Sequence, residues 1–97
     1  MTNELEVQTF EDVWDAIEDT PQAAANMRLR SSLLIAVEQE VRSWGLTQAK
    51  AADRLGVTQP RLNDLLRGKA DKFSLDALVD LSARAGLAVK LDIGKAA

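Results

Sequence analysis

Cysteine and histidine are both missing from this 97-residue chain, and its aromatics are four: Phe10, Trp14, Trp44 and Phe73. Without cysteine there are no disulfides and no thiolate metal sites. Without either residue, zinc chemistry, imidazole acid–base catalysis and thiol nucleophiles are excluded together. No apolar run approaches the roughly 18 residues that a membrane-crossing helix needs. The opening MTNELEVQTF is acidic, with no basic stretch ahead of an apolar one, so no secretion signal is expected and a cytoplasmic location is. Repeats and low-complexity segments are lacking. The acids are scattered, with no glycine-rich phosphate loop and no metal-ligand spacing. The expectation is therefore a protein that is not an enzyme, with no catalytic residue, no metal and no cofactor. None of the four aromatics clusters with basic residues, which removes the usual platform for single-stranded nucleic acid.

What is present suits one ordered globule: 46% hydrophobic and 28% charged residues in a chain long enough for a single small core. A net charge of −3 and a pI near 4.8 argue at first against a nucleic-acid partner. The distribution counters that. Residues 1–45 hold nine acids against three arginines, a balance of −6, while residues 46–97 hold nine Lys or Arg against six acids, a balance of +3. Two surfaces with different partners are implied.

Along the chain, residues 5–9 alternate loosely and read as a short strand or a frayed end. Phe10, Val13, Trp14 and Ile17 fall at helical spacing. That short helix docks on the protein's own core or is offered, acidic and aromatic, to a partner. Thr20-Pro21 is a helix start, a hydroxyl cap before proline. Met27, Leu33, Leu34, Val37, Val41 and Trp44 carry the period to Gly45, with a second cap or break at Arg30-Ser31-Ser32 left open. Glu38 and Arg42 stand four apart in the favourable order. Thr47 caps a helix with Ala51, Ala52 and Leu55 inward, ended by Gly56. Thr58 caps another with Leu62 and Leu65 inward, ended by Gly68. Ser74 caps a third carrying Leu75, Leu78, Val79 and Leu81, ended by Gly86. Leu87, Val89, Leu91 and Ile93 then alternate with Ala88, Lys90 and Asp92, the pattern of a half-buried strand.

The segment LTQAKAADRLGVTQPRLNDLLRG holds the constellation that matters. Ala52 lets two backbones approach, Gly56 tolerates a left-handed corner, Val57 plugs it, and Leu55, Leu62 and Leu65 form a shared seam. Gln59, Pro60, Arg61, Asn63, Asp64 and Arg67 are left facing outward on the second helix. Amides and a guanidinium are the groups that match base edges in a major groove. This segment resembles the helix-turn-helix of the lambda-repressor-like (Cro/XRE) family. The wider run from about residue 28 to 93, with its RGK–FS–L spacing and C-terminal strand, resembles the HigA-like antitoxins of toxin–antitoxin pairs. Residues 1–26 lie outside the resemblance. It implies an all-α, lambda-repressor-like bundle of about five helices with a short C-terminal β-strand. The chain then divides into an acidic extension (1–26), a helix-turn-helix domain (27–86) and a dimerisation strand and tail (87–97).

The resemblance also distributes roles. Gln59, Pro60, Arg61, Asn63 and Asp64 occupy base-reading positions. Gln48, Thr58, Arg67, Lys69 and Lys72 occupy phosphate-contacting ones, where a helix N-terminus assists. Pro60 departs from the family pattern, since it donates no hydrogen bond and offers only apolar contact to a thymine methyl. Asp64 costs affinity beside phosphates unless it accepts from cytosine or pairs with Arg61. Set against these roles, Arg61 and Arg67 also suit a solvated surface or pairs with Asp64 and Asp53. Phe73 and Trp44 read as core. The implied function is a dimeric repressor on a double-stranded operator with an inverted repeat, and an antitoxin to a basic toxin that meets the acidic front. Leu87, Val89, Leu91 and Ile93 are assigned to the dimer interface. The alternatives are a stand-alone or phage-type repressor, and a protein-interaction module with little DNA affinity.

Overall fold

A computed structural model describes residues 20–96, and each of its four α-helices begins on a hydroxyl. Helix α1 is Pro21–Ser43, α2 is Gln48–Leu55, α3 is Gln59–Leu66 and α4 is Leu75–Arg84. The cap oxygens of Thr20, Thr47, Thr58 and Ser74 accept from the amides of Ala23, Lys50, Arg61 and Ala77 at 3.0, 3.3, 3.3 and 3.1 Å. Each such bond satisfies an amide that the helix itself leaves unpaired. A 3₁₀ turn, Ala70–Lys72, links α3 to α4.

Helix α1 lies along α4, while α2 pairs with α3. Into the space between them α1 buries Leu34, Val37 and Val41; α2 buries Ala51, Ala52 and Leu55; α3 buries Leu62 and Leu65. Phe73, Leu78, Leu81 and Ala85 complete the core. Phe73 thus closes the loop beneath α3, as its position in the sequence suggests. Trp44 is only half-buried: its indole nitrogen donates to Glu40 at 3.1 Å, and Arg54 lies over its ring at 4.1 Å. The expected Glu38–Arg42 pair forms, at 3.0 Å.

Several expectations are corrected. Helix α1 runs unbroken through Ser31 and Ser32. A serine costs a helix interior only a few tenths of a kcal/mol, and the stripe that is half-buried at Met27 continues past the pair as buried Leu34, Val37 and Val41. The boundary drawn between residues 26 and 27 consequently falls inside α1. Of the apolar residues that the last helix carries, Leu78 and Leu81 are buried and Val79 is 43% exposed. The expected strands and the helix at Phe10–Ile17 fare differently. The segment at 5–9 and that helix lie outside the described residues. The C-terminal strand does not form: residues 87–96 have no regular secondary structure, and there is no strand among the described residues. A strand exists only through its ladder, and no described segment pairs with this one. Leu87 alone is tied down, its amide donating to the Ser82 carbonyl at 2.9 Å while its side chain packs on the core.

Candidate nucleic-acid interface

The turn between α2 and α3 aims the second helix. Gly56 has φ +78°, the left-handed conformation that side chains resist. Its amide and that of Val57 both bond the Ala52 carbonyl, at 2.8 and 3.0 Å. Ala52 is buried and lets the backbones close, and half-buried Val57 packs against the core at the corner. Leu55, Leu62 and Leu65 form the seam. From α4, Arg84 donates to the Gly56 carbonyl at 2.9 Å and pairs with Asp80 at 3.0 Å. The turn is therefore held from inside by leucines and from outside by a guanidinium.

On the outward side, Gln59 and Pro60 are exposed in the first turn of α3, and Asn63 is half-buried one turn on. Asp64 is half-buried and paired with Lys69 at 3.7 Å, not with Arg61. Arg61 turns back on the protein. Its guanidinium sits 4.0 Å from the centre of the Phe73 ring and donates to the Lys72 carbonyl at 3.0 Å. It spans α3 and the following loop and braces one against the other.

The expected phosphate-contacting residues are spread around this helix. Gln48 is exposed at the first position of α2. It borders a hollow of about 250 Å³ with Arg42, Leu46, Leu62 and Leu66, which sets the start of α2 beside α3. Thr58 is exposed, with its hydroxyl engaged as the α3 cap. Arg67 and Lys72 are exposed at the end of α3 and in the loop, and Lys69 is committed to Asp64. Among the described residues from α2 to the loop after α3, Lys50, Arg67 and Lys72 have side chains with no ion pair, hydrogen bond or aromatic contact, whereas Arg54 lies over Trp44. These are the cations of this region available to an anionic ligand.

Three arginines that brace the site carry no motif. Arg42 donates to the Leu66 carbonyl at 3.1 Å, satisfying an end of α3 from α1. Arg30 donates to the Phe73 carbonyl at 3.2 Å. Arg84 has been described. The only signals in the sequence were the four-residue spacings to Glu38 and Asp80, which predict the local pairs and say nothing of the distant carbonyls.

The arrangement offers a short helix that protrudes over a rigid corner, with two amide side chains, an apolar proline and unpaired cations around it. Amides of this kind form paired hydrogen bonds with adenine in a major groove, and free cations neutralise phosphates. No helix among the described residues is long and apolar enough to cross a membrane. Residues 16–94 match a family model described as a helix-turn-helix domain. No curated protein matches the chain.

Proposed function

Since the chain belongs to the helix-turn-helix domain family and is a DNA-binding regulator, we propose that it is a sequence-specific repressor of the Cro/XRE type. It acts in the cytoplasm as a homodimer on an inverted repeat and has no catalytic role. The observation that carries this reading is the outer face of α3, with Gln59 and Pro60 exposed and Asn63 half-buried above a corner braced by Arg84. One such face touches too few bases to hold a single site tightly, and two-fold symmetry doubles it.

The same reading makes the protein an antitoxin of the HigA-like kind. The first 27 residues contain seven acids and no base, a composition complementary to a basic partner. Selection of bound duplexes from a random library by the full chain tests the DNA reading. The expected product is an inverted repeat with half-sites about one helical turn apart. Enrichment of no sequence would leave a protein-interaction module, the reading that the net charge of −3 favours. A small basic protein encoded in the adjacent reading frame, co-purifying with the chain, is the expected mark of the antitoxin role.

A further inference from the structure

The most apolar hollow of the surface lies away from α3. Leu29 and Leu33 of α1, Leu75 and Val79 of α4, and Val89 and Lys90 of the tail line a space of about 290 Å³. Leu29 and Val79 are 56% and 43% exposed. The apolar surface extends beyond the hollow. Ala25, Leu29 and Leu33 stand four apart, one row along α1, and the row leads back from the hollow toward Thr20, where the described chain begins. Arg28, beside Leu29 on α1, and Lys90 have no ion pair or side-chain hydrogen bond with a described residue. An apolar track flanked by two unpaired cations thus joins the hollow to the point where the first 19 residues enter.

Those residues carry the matching pattern. On a helix Phe10, Val13, Trp14 and Ile17 fall within an arc of about 100°, and Glu11, Asp12, Asp15, Glu18 and Asp19 all lie outside it. Thr9 stands ahead of Phe10 as the hydroxyl caps stand ahead of the four described helices. We propose that residues 10–17 fold back antiparallel along α1 and close the hollow, with Trp14 covering the track at Ala25 and Phe10 entering the hollow at Leu29.

The chain length fits. A helical hairpin with its turn centred on Asp19 sets Val13 beside Ala25 and Phe10 beside Leu29. Helical side chains lean toward the N-terminus of their own helix, so in this antiparallel pair Phe10 leans onward to Leu33. The acids are left to solvent and to the two cations. A stripe supplied by a second copy or another protein competes with one tethered at Thr20, at an effective concentration of about a millimolar or more. The contact involves neither α3 nor DNA, so it stands or falls apart from the repressor reading.

The chain has no cysteine of its own, so paired substitutions read the contact directly. In the full chain, Val13→Cys with Ala25→Cys is expected to close a disulfide at least about tenfold faster than Val13→Cys with Ala24→Cys, because only the Ala25 row brings the two Cα atoms within the roughly 4.4–6.8 Å that the bond needs. The two tethers differ by one residue, which barely changes loop closure. The rate is expected to be independent of protein concentration. Equal rates overturn the placement, and a bridge that forms between chains, faster at higher concentration, assigns the track to a second copy and overturns it too. Deletion of residues 1–19 and Trp14→Ala are each expected to lower the melting midpoint by about 5–15 °C. In a Leu29→Asp chain, which keeps its fold because that side chain is exposed, Trp14→Ala is expected to lower the midpoint by less than about 2 °C further. A midpoint unmoved by the deletion, or a Trp14→Ala loss that is undiminished in the Leu29→Asp chain, overturns the proposal.

Discussion

Replacing Arg61 with alanine removes two contacts that join α3 to the loop after it. One is the guanidinium stacked on the Phe73 ring at 4.0 Å, and the other its hydrogen bond to the Lys72 carbonyl at 3.0 Å. A cation over an aromatic face contributes about 0.5–1 kcal/mol where solvent still reaches it. A hydrogen bond from a charged donor adds a further ~0.5–1 kcal/mol here, the low end of the usual range because Arg61 is only half-buried. The expected loss is about 1–2 kcal/mol. In a domain of this size each kcal/mol moves the midpoint by roughly 4–8 °C, so thermal unfolding followed by circular dichroism is expected to shift down by about 5–15 °C. Arg61→Lys keeps the charge but loses the planar group that stacks, and is expected to recover less than half of the loss. In a double-mutant cycle with Phe73→Leu the two substitutions are expected to be non-additive by about 0.5–1 kcal/mol. Operator and random DNA should both bind less tightly, by similar factors, because a displaced α3 weakens every contact it makes. An unchanged midpoint with affinity lost on the operator alone refutes the brace and returns Arg61 to the base-reading set.

Gln59→Ala and Asn63→Ala are expected to leave the melting midpoint within a few degrees and to weaken operator binding by about 1–3 kcal/mol each, with little change on random DNA in the same anisotropy titration. Arg67→Ala is expected to weaken both DNAs equally and to reduce the slope of log affinity against log salt by about one, measured across a salt series. Leu62→Ala or Leu65→Ala, each removing a fully buried side chain, is expected to cost about 2–5 kcal/mol in urea denaturation. Gly56→Ala puts a methyl group 2.6 Å from Arg84 Nη1 in a left-handed backbone. It is expected to cost about 1–2 kcal/mol for the backbone alone, plus the displaced Arg84 bond. In an Arg84→Ala background only the backbone part should remain.

Local chemistry was legible wherever the determinants sit within a few residues of one another. All four helix starts, Thr20, Thr47, Thr58 and Ser74, could be placed because a hydroxyl cap bonds an amide three residues away. The corner at Gly56 and the seam of Leu55, Leu62 and Leu65 followed from a glycine requirement and a helical period. The exposed positions of Gln59 and Pro60 followed in turn, since they are what that seam leaves outside. Tertiary structure decided the rest. The partners of the long cationic side chains are carbonyls up to 43 residues distant, as for Arg30 and Phe73. A flexible arginine has no period that announces such a target, which is why the contacts of Arg61 with Phe73 and the Lys72 carbonyl could not be read from the sequence. Val79 could not be told from a core residue, because both suit the same face of α4 until α1 fixes where the core ends. The C-terminal alternation specifies a strand's two faces, but a strand forms only where another backbone supplies its hydrogen bonds. Whether residues 87–93 become one is decided by the chain laid beside them, and no described segment of this chain takes that place.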